Sequence, residues 1–172
     1  MSSSSSFAAA TVARAFCPVV VIGAGNLLLS DEGIGVHVVR ALQTGIGEIE
    51  GVELLEVGSG GLALVHALAG RSKAVIVDCA RMGEPAGTLR RFLPEEVRSV
   101  KAGGGLSLHE GDVLQLLRLT TALGTAPGEV VIIGIEPADL SPGLALSPVL
   151  QGQLATYVAA VLRELPADAS AA

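Results

Sequence analysis

The sequence predicts a three-layer α/β/α domain with a mostly parallel central sheet and one edge strand. Short apolar runs rich in Val and Ile alternate along the chain with stretches whose apolar residues recur every three or four positions. Half of the residues are hydrophobic, but only 2% are aromatic, so the core must be built from aliphatic side chains. Such a core suits a buried parallel sheet covered by helices. The length of 172 residues fits one domain with a substantial core.

The predicted elements follow one another without an internal repeat or an interior linker. They are a strand at 19–23, a helix beginning near 34, a strand at 51–57, a helix at about 61–69, a strand at 74–80, a weaker edge strand at 87–93, a helix at 111–124, a strand at 129–137 and a closing helix at 147–165. The strand at 74–80, AVIVDCA, is almost continuously apolar, as expected at the centre of a sheet. Asp31 is the predicted N-cap of the first helix. Pro148 stands in the first turn of the last helix, where proline is tolerated.

Composition limits the classes of function. A formal net charge of −6 argues against nucleic acid or an anionic membrane as a partner, because both require basic patches. Cys17 and Cys79 lie far apart and form no CxxC pair, so neither a structural disulfide nor a zinc knuckle is expected. No apolar run approaches the roughly 18 residues that span a bilayer. We therefore expect a cytoplasmic protein.

The two ends of the chain differ in composition from the rest. Residues 1–17 are rich in Ser and Ala, and residues 166–172 read PADASAA. Both segments are predicted to be disordered tails. A single folded domain is predicted over 18–165.

The turn after the first strand, GAGNLLLSDEGIG at 23–35, first suggests a nucleotide-binding loop. The dinucleotide fingerprint G-x-G-x-x-G requires a third glycine where Leu28 stands, although Glu56 ends the second strand where a ribose-binding acid would be found. Asp31 and Glu32 would moreover repel a pyrophosphate at the start of the helix. A nucleotide-binding α/β enzyme remains an alternative interpretation.

A second interpretation rests on where the polar residues fall. Ligands of open α/β sheets bind beyond the carboxyl ends of the strands. Glu32 follows the first strand, Asp78 ends the third, and His109 lies in the glycine-rich segment GGGLSLHEGD at 103–112. Two carboxylates and one imidazole form a set of ligands suited to a divalent transition metal.

Each residue of this trio also has a structural interpretation. Glu32 is a first-turn acid that the helix dipole favours, Asp78 could cap a loop, and His109 could be a surface residue before a helix. Asp78 is the strongest single indication of a site, because burying a charge after so apolar a run is costly without a partner.

Other candidate residues are weaker. Cys79 could be a nucleophile served by His109, but a small buried thiol is the commoner role. His37 and His66 are predicted to be helix-face residues rather than ligands.

Several segments together resemble the nickel–iron hydrogenase maturation endopeptidases. In order, they are GAGNLLLSDEGIGVHVVRAL, AVIVDCA, GTLRRFLPEEV, LSLHEGDVLQLL and VVIIGIEPADLSPGLALSP. The similarity runs in this order across nearly the whole predicted domain, about 18–165. The opening GxGNxLxxDEGIG block is specific to that group. In that family the glycine turn presents an acid to a metal rather than N–H groups to a phosphate.

The resemblance implies an endopeptidase that removes the C-terminal extension of a hydrogenase large-subunit precursor after nickel has been inserted. It implies that Glu32, Asp78 and His109 are the metal-contacting and catalytic residues. The nickel would be carried by the precursor, so we expect no permanently bound cofactor. A non-catalytic chaperone that recognises the nickel site is the remaining alternative.

One position departs from the family pattern. Many relatives have an Asp-Gly-Gly turn after the second strand, whereas this chain reads LEVGSGG at 55–61, with Glu56 at the acidic position and Val57 in place of a glycine. The longer acid could alter which precursor is accepted.

Overall fold

The computed structural model describes residues 17–58, 61–97, 107–108 and 112–166. Six strands and four helices have the following bounds: β1 Val19–Ala24, α1 Ile34–Gly45, β2 Val52–Val57, α2 Leu62–Leu68, β3 Lys73–Arg81, β4 Leu89–Phe92, β5 Ser107–Leu108, α3 Asp112–Ala122, β6 Glu129–Ile135 and α4 Pro148–Leu162. A 3-10 turn at Ser30–Gly33 lies between β1 and α1. The predicted tails, 1–17 and 166–172, lie outside the described residues except at Cys17 and Pro166.

The sheet has the strand order β2-β1-β3-β6-β4. The first four strands of this order are parallel, whereas β4 runs antiparallel to β6 at one edge. The short β5 pairs antiparallel with the last residues of β3. The chain leaves β1 toward β2 on one side and returns to β3 on the other, so the strand order reverses between β1 and β3. Ligands of open α/β sheets bind at such a reversal.

Alternating side chains of the central strands build two separate apolar layers. Odd-numbered residues of β1 and β3, such as Val21 and Val75, pack with α1 and α4. Even-numbered residues, such as Ile22 and Ile76, pack with α2 and α3. The three-layer α/β/α prediction is therefore confirmed, and the layers follow from the period of two that strands impose on side chains.

The predicted elements agree closely with the structure. The weak strand at 87–93 is the antiparallel edge strand β4, and its half-exposed LRRF sequence explains its weak apolar pattern. Ser147 accepts a hydrogen bond from the backbone N–H of Leu150 as N-cap of α4, and Pro148 takes the first turn as predicted. β3 extends to Arg81, one residue beyond the predicted end. Within the described residues, no helix combines the length and apolarity that crossing a membrane requires.

Candidate active site at the carboxyl edge of the sheet

The turn after β1 folds back against the sheet because two glycines allow close backbone contacts. A side chain at Gly25 would meet the carbonyl oxygen of Glu32 at 1.9 Å, and Gly25 has a φ of +132°. A side chain at Gly35 would meet the carbonyl oxygens of Val77 at 2.2 Å and Ala24 at 2.4 Å. The start of α1 therefore lies directly on β1 and β3. These glycines serve packing, which explains why their spacing does not match a phosphate-binding loop.

Glu32 occupies the 3-10 turn that this packing creates. Its side chain is buried, with 3% exposure, and its backbone N–H donates to the carbonyl of Leu29 at 3.0 Å. The turn contacts β3 as well as α1. The turn that carries Glu32 thus follows β1 and packs on β3, the two strands between which the strand order reverses.

The prediction that Asp31 caps α1 is wrong. The N-cap is Gly33, and no side chain caps this helix. The fully buried carboxylate of Asp31 instead accepts hydrogen bonds from the backbone N–H groups of Ala138 and Asp139 at 2.9 Å and of Ser147 at 2.7 Å. Asp31 therefore fastens the turn after β1 to the segment that joins β6 to α4, and adjacent acids have different roles.

Asp78 lies within β3, with 1% exposure, and its neighbour in β6 is Gly134. One carboxylate oxygen accepts a hydrogen bond from the N–H of Cys79 at 2.8 Å. β3 continues for three residues beyond Asp78, to Arg81, so Asp78 lies within the strand rather than at its end.

The pKa of Cys79 shows that three acids lie close to its thiol. Burial raises the pKa of the Cys79 thiol far above its ordinary value, and the charges of Asp78, Glu32 and Asp31, in that order, raise it further. The structure thus brings Glu32 and Asp78 together at the same edge. It also argues against a Cys79 nucleophile, because a thiol of this kind stays protonated and unreactive near neutral pH.

The third predicted ligand, His109, lies outside the described residues. Strand β5 ends at Leu108, whose partner in β3 is Ala80, two residues after Asp78. Among the described residues, no group of three His, Cys, Asp or Glu side chains is placed to hold a metal ion. Glu32 and Asp78 supply two oxygen donors of the predicted trio, and the trio itself stays a prediction.

Three other residues noted in the sequence, Glu56, His37 and His66, lie on β2, α1 and α2. Glu56 forms a bidentate ion pair with Arg40 of α1, with N–O distances of 3.1 and 2.8 Å. His37 is half-buried on α1, and burial lowers its pKa, with Arg40 lowering it further against the opposing effects of Asp31 and Glu56. His66 is exposed on α2. His37 and His66 are helix-face residues, as predicted.

Glu136 is a buried acid that the sequence reasoning missed. It follows β6 directly, has 8% exposure, and accepts hydrogen bonds from the backbone N–H groups of Met82 at 2.6 Å and Glu84 at 3.2 Å. It therefore holds the segment that follows β3. The signal was available, because Glu136 ends the apolar run VVIIGI just as Asp78 follows AVIV.

A family model for hydrogenase maturation proteases matches residues 36–164, more than half of the chain. The Hydrogenase 2 maturation protease of Escherichia coli K12 is 33% identical over 151 residues, which cover 86% of this chain and 90% of that protein. The hydrogenase expression/formation protein HupD of Thiocapsa roseopersicina is 32% identical over 148 residues, which cover 86% of this chain and 67% of that protein.

The fold is similar to that of solved maturation proteases. The hydrogenase maturating endopeptidase HybD from Escherichia coli has a TM-score of 0.73 and 28% identity, with 86% of this chain and 91% of that chain covered. The [NiFe] hydrogenase maturation protease HybD from Thermococcus kodakarensis has a TM-score of 0.72 and 25% identity, with 86% and 99% covered.

Proposed function

Because the chain belongs to the hydrogenase maturation protease family, we propose that it removes the C-terminal extension of a nickel-loaded hydrogenase large-subunit precursor. The observation that carries this proposal is the pair of buried carboxylates, Glu32 and Asp78, at the reversal of strand order. The partner is the precursor polypeptide, and the compartment is the cytoplasm.

Glu32 and Asp78, together with His109, contact the nickel that the precursor carries. Carboxylate oxygens and an imidazole nitrogen suit a borderline divalent ion. Two carboxylates and one histidine form an incomplete set, since tight structural sites use thiolates or further histidines. The trio is therefore a recognition element for an ion already held by the precursor rather than a permanent metal centre.

Peptide hydrolysis at this edge needs a water oriented toward the scissile carbonyl and a group that takes its proton. The precursor's metal polarises the carbonyl or acidifies the water. A carboxylate of the pair accepts the proton as water adds to the carbonyl carbon, and the proton then passes to the departing amine as the C–N bond breaks. Burial keeps bulk water away from both acids, which strengthens their interaction with the ion.

Specificity for the loaded precursor follows from charge. The pKa of Cys79 is raised first by burial and then by the charges of Asp78, Glu32 and Asp31, against the opposing effect of Arg81, so acidic charge predominates around it. A precursor that carries a divalent cation compensates this potential, whereas a metal-free precursor leaves it uncompensated. Cleavage is thereby coupled to completed nickel insertion.

The test compares nickel-loaded and nickel-free precursor in parallel digests with the purified protein. Mass spectrometry of the precursor should show loss of a C-terminal peptide only from the loaded form, and elemental analysis of the protein should show little bound metal. Binding without any change in precursor mass would instead support the chaperone alternative. Equal cleavage of both forms, or a tightly bound zinc required for activity, would contradict recognition through the substrate's metal.

A further inference from the structure

Exposed leucines are distributed unevenly between the two edges of the sheet. Among the large hydrophobic residues that the structure describes, the three most exposed are Leu144 at 72%, Leu62 at 68% and Leu28 at 64%. All three lie in segments that follow the carboxyl ends of strands. Leu123, with 59% exposure, follows α3 and lies at the opposite edge of the sheet. The three most exposed leucines thus lie at the edge that carries Glu32 and Asp78.

Leu28 and Leu144 belong to two segments that are bonded to each other. The N–H of Gly143 donates to the carbonyl of Leu28 at 2.9 Å, and the N–H of Ser30 donates to the carbonyl of Gly143 at 2.9 Å. Leu29 and Gly143 form an isolated parallel bridge. Leu28 and Leu144 therefore lie on two neighbouring segments that hydrogen bonds hold side by side, and Leu28 directly precedes the turn of Glu32.

This backbone is held in a conformation that its sequence does not favour. Ser30 has a φ of +48°, in the left-handed region that side chains rarely adopt. Its hydroxyl donates to the carbonyl of Ser141 at 3.0 Å, and a side chain at Gly143 would meet that hydroxyl oxygen at 2.5 Å. A strained Ser30, bonded to Gly143 and lying between the exposed Leu28 and Leu144, suits a binding surface better than a purely structural turn.

We infer that Leu28 and Leu144 form an apolar docking rim for the polypeptide of the hydrogenase large-subunit precursor. The inference rests on the proposed function and adds the surface that binds the precursor beside its nickel. The occupant is the substrate rather than a second copy of this chain, because a molecule covering the rim also covers the turn of Glu32. A second copy bound there would block the site.

The test measures steady-state processing of nickel-loaded precursor by Leu28→Ala, Leu144→Ala and the double variant. Each single substitution should raise KM about tenfold, equivalent to about 1.4 kcal/mol, and leave kcat unchanged. The matched control is Leu123→Ala, which removes another exposed leucine at the opposite edge and should change neither constant. Interferometry on immobilised precursor reports the same affinities without turnover, and sedimentation of the free protein reports self-association.

The outcomes separate this inference from the proposed function. An unchanged KM in the double variant would contradict the docking rim, while cleavage by the unmodified protein would still support the proposed endopeptidase function. A dimer that the double substitution converts to a monomer overturns it in favour of a second copy. If the precursor is bound through the leucines but not cleaved, the docking rim is supported and the proposed endopeptidase function is contradicted. If the precursor is neither bound nor cleaved, both proposals fail.

Discussion

Acidic residues have different partners at the two ends of the parallel strands. We call these ends the amino edge and the carboxyl edge of the sheet. At the amino edge, cationic side chains neutralise the acids: Arg71 pairs with Glu53, and Lys73 lies 3.0 Å from Glu129 and 3.4 Å from Glu164. At the carboxyl edge, backbone N–H groups hold the buried acids Asp31 and Glu136, whereas the more exposed Glu56 near the end of β2 pairs with Arg40. Asp31 takes three such bonds, and Glu136 takes two.

This difference indicates a stabilising role for the amino edge and a functional role for the carboxyl edge. A cation that pairs with a carboxylate cancels its charge, whereas N–H groups fix its position and leave the net charge in place. The acids Glu53, Glu129 and Glu164 of the amino edge are thus paired with cations, whereas the buried Asp31 and Glu136 of the carboxyl edge keep their negative charge. A metal-bearing partner is attracted only to the second kind of edge.

The largest expected effect comes from removing charge at the carboxyl edge. Glu32→Gln and Asp78→Asn, and His109→Ala as the third member of the predicted trio, should each reduce precursor processing on the order of a thousandfold. The reason is that each residue supplies a ligand or proton acceptor that the other two cannot replace. Processing is followed by mass spectrometry with enzyme limiting, and circular dichroism verifies the fold.

Glu129→Gln is the matched control at the amino edge. Its side chain is half-exposed in its pair with Lys73, so the substitution removes an acid of the sheet without touching the candidate site. Processing should stay normal. Near-normal processing by any member of the trio would remove that residue from the site, and a large loss in the control would erase the contrast between the edges.

A smaller effect on processing is expected at Asp31, which anchors the carboxyl edge through hydrogen bonds and is not a member of the predicted trio. Asp31→Asn should lower the free energy of unfolding by about 2–4 kcal/mol, because an amide cannot accept all three buried N–H groups. Processing should fall by roughly 10- to 100-fold as Glu32 loses its fixed position. Chemical denaturation and initial rates provide the two measurements.

The control for this prediction is Asp139→Asn. That carboxylate is exposed and accepts locally from the N–H of Ser141, which lowers its pKa. Its loss should leave stability and processing unchanged. An Asp31→Asn protein as stable as the unmodified chain would mean that the three hydrogen bonds do not secure the turn.

The sequence predicted those features of the structure that depend on neighbouring residues. Strands and helices followed from apolar runs and their spacing, and the expectation that parallel strands end at one edge placed Glu32 and Asp78 together. The role of Asp31 could not be read in the same way, because its partners at Ala138, Asp139 and Ser147 lie more than a hundred residues away. A local rule assigned it to the nearest helix, but long-range hydrogen bonds decided its position.

Substitution of Cys79 should have almost no effect on activity. Cys79 lies among the acids of the carboxyl edge but takes no part in the proposed reaction. Because burial and the neighbouring carboxylates raise its pKa, the thiol stays protonated at neutral pH. Cys79→Ser should process precursor normally and lose about 1 kcal/mol of stability through its buried hydroxyl. Alkylation followed by peptide mapping should label the half-buried Cys17 before Cys79. A loss of activity with retained binding would support a cysteine nucleophile instead.

The smallest effect is expected at the amino edge, where Glu164 accepts hydrogen bonds from Arg91 and Lys73. The bond to Arg91 is the main cause that lowers the pKa of Glu164 from its ordinary value of 4.5. A carboxyl whose pKa is lower in the folded state stabilises the fold above its unfolded pKa and loses that contribution as the pH falls through its folded pKa.

Glu164→Gln should therefore lower the free energy of unfolding by about 0.5–1 kcal/mol at neutral pH, since solvent screens the half-exposed Arg91. The difference from the unmodified protein should begin to shrink as the pH falls through 4.5, the ordinary value for this carboxyl, and should vanish once the pH is below the lowered pKa of the folded state. Urea denaturation across this pH range measures it, and processing at neutral pH should not change. A substitution here that altered processing more than stability would show that the amino edge also communicates with the candidate site, and the division between a stabilising edge and a functional edge would no longer hold.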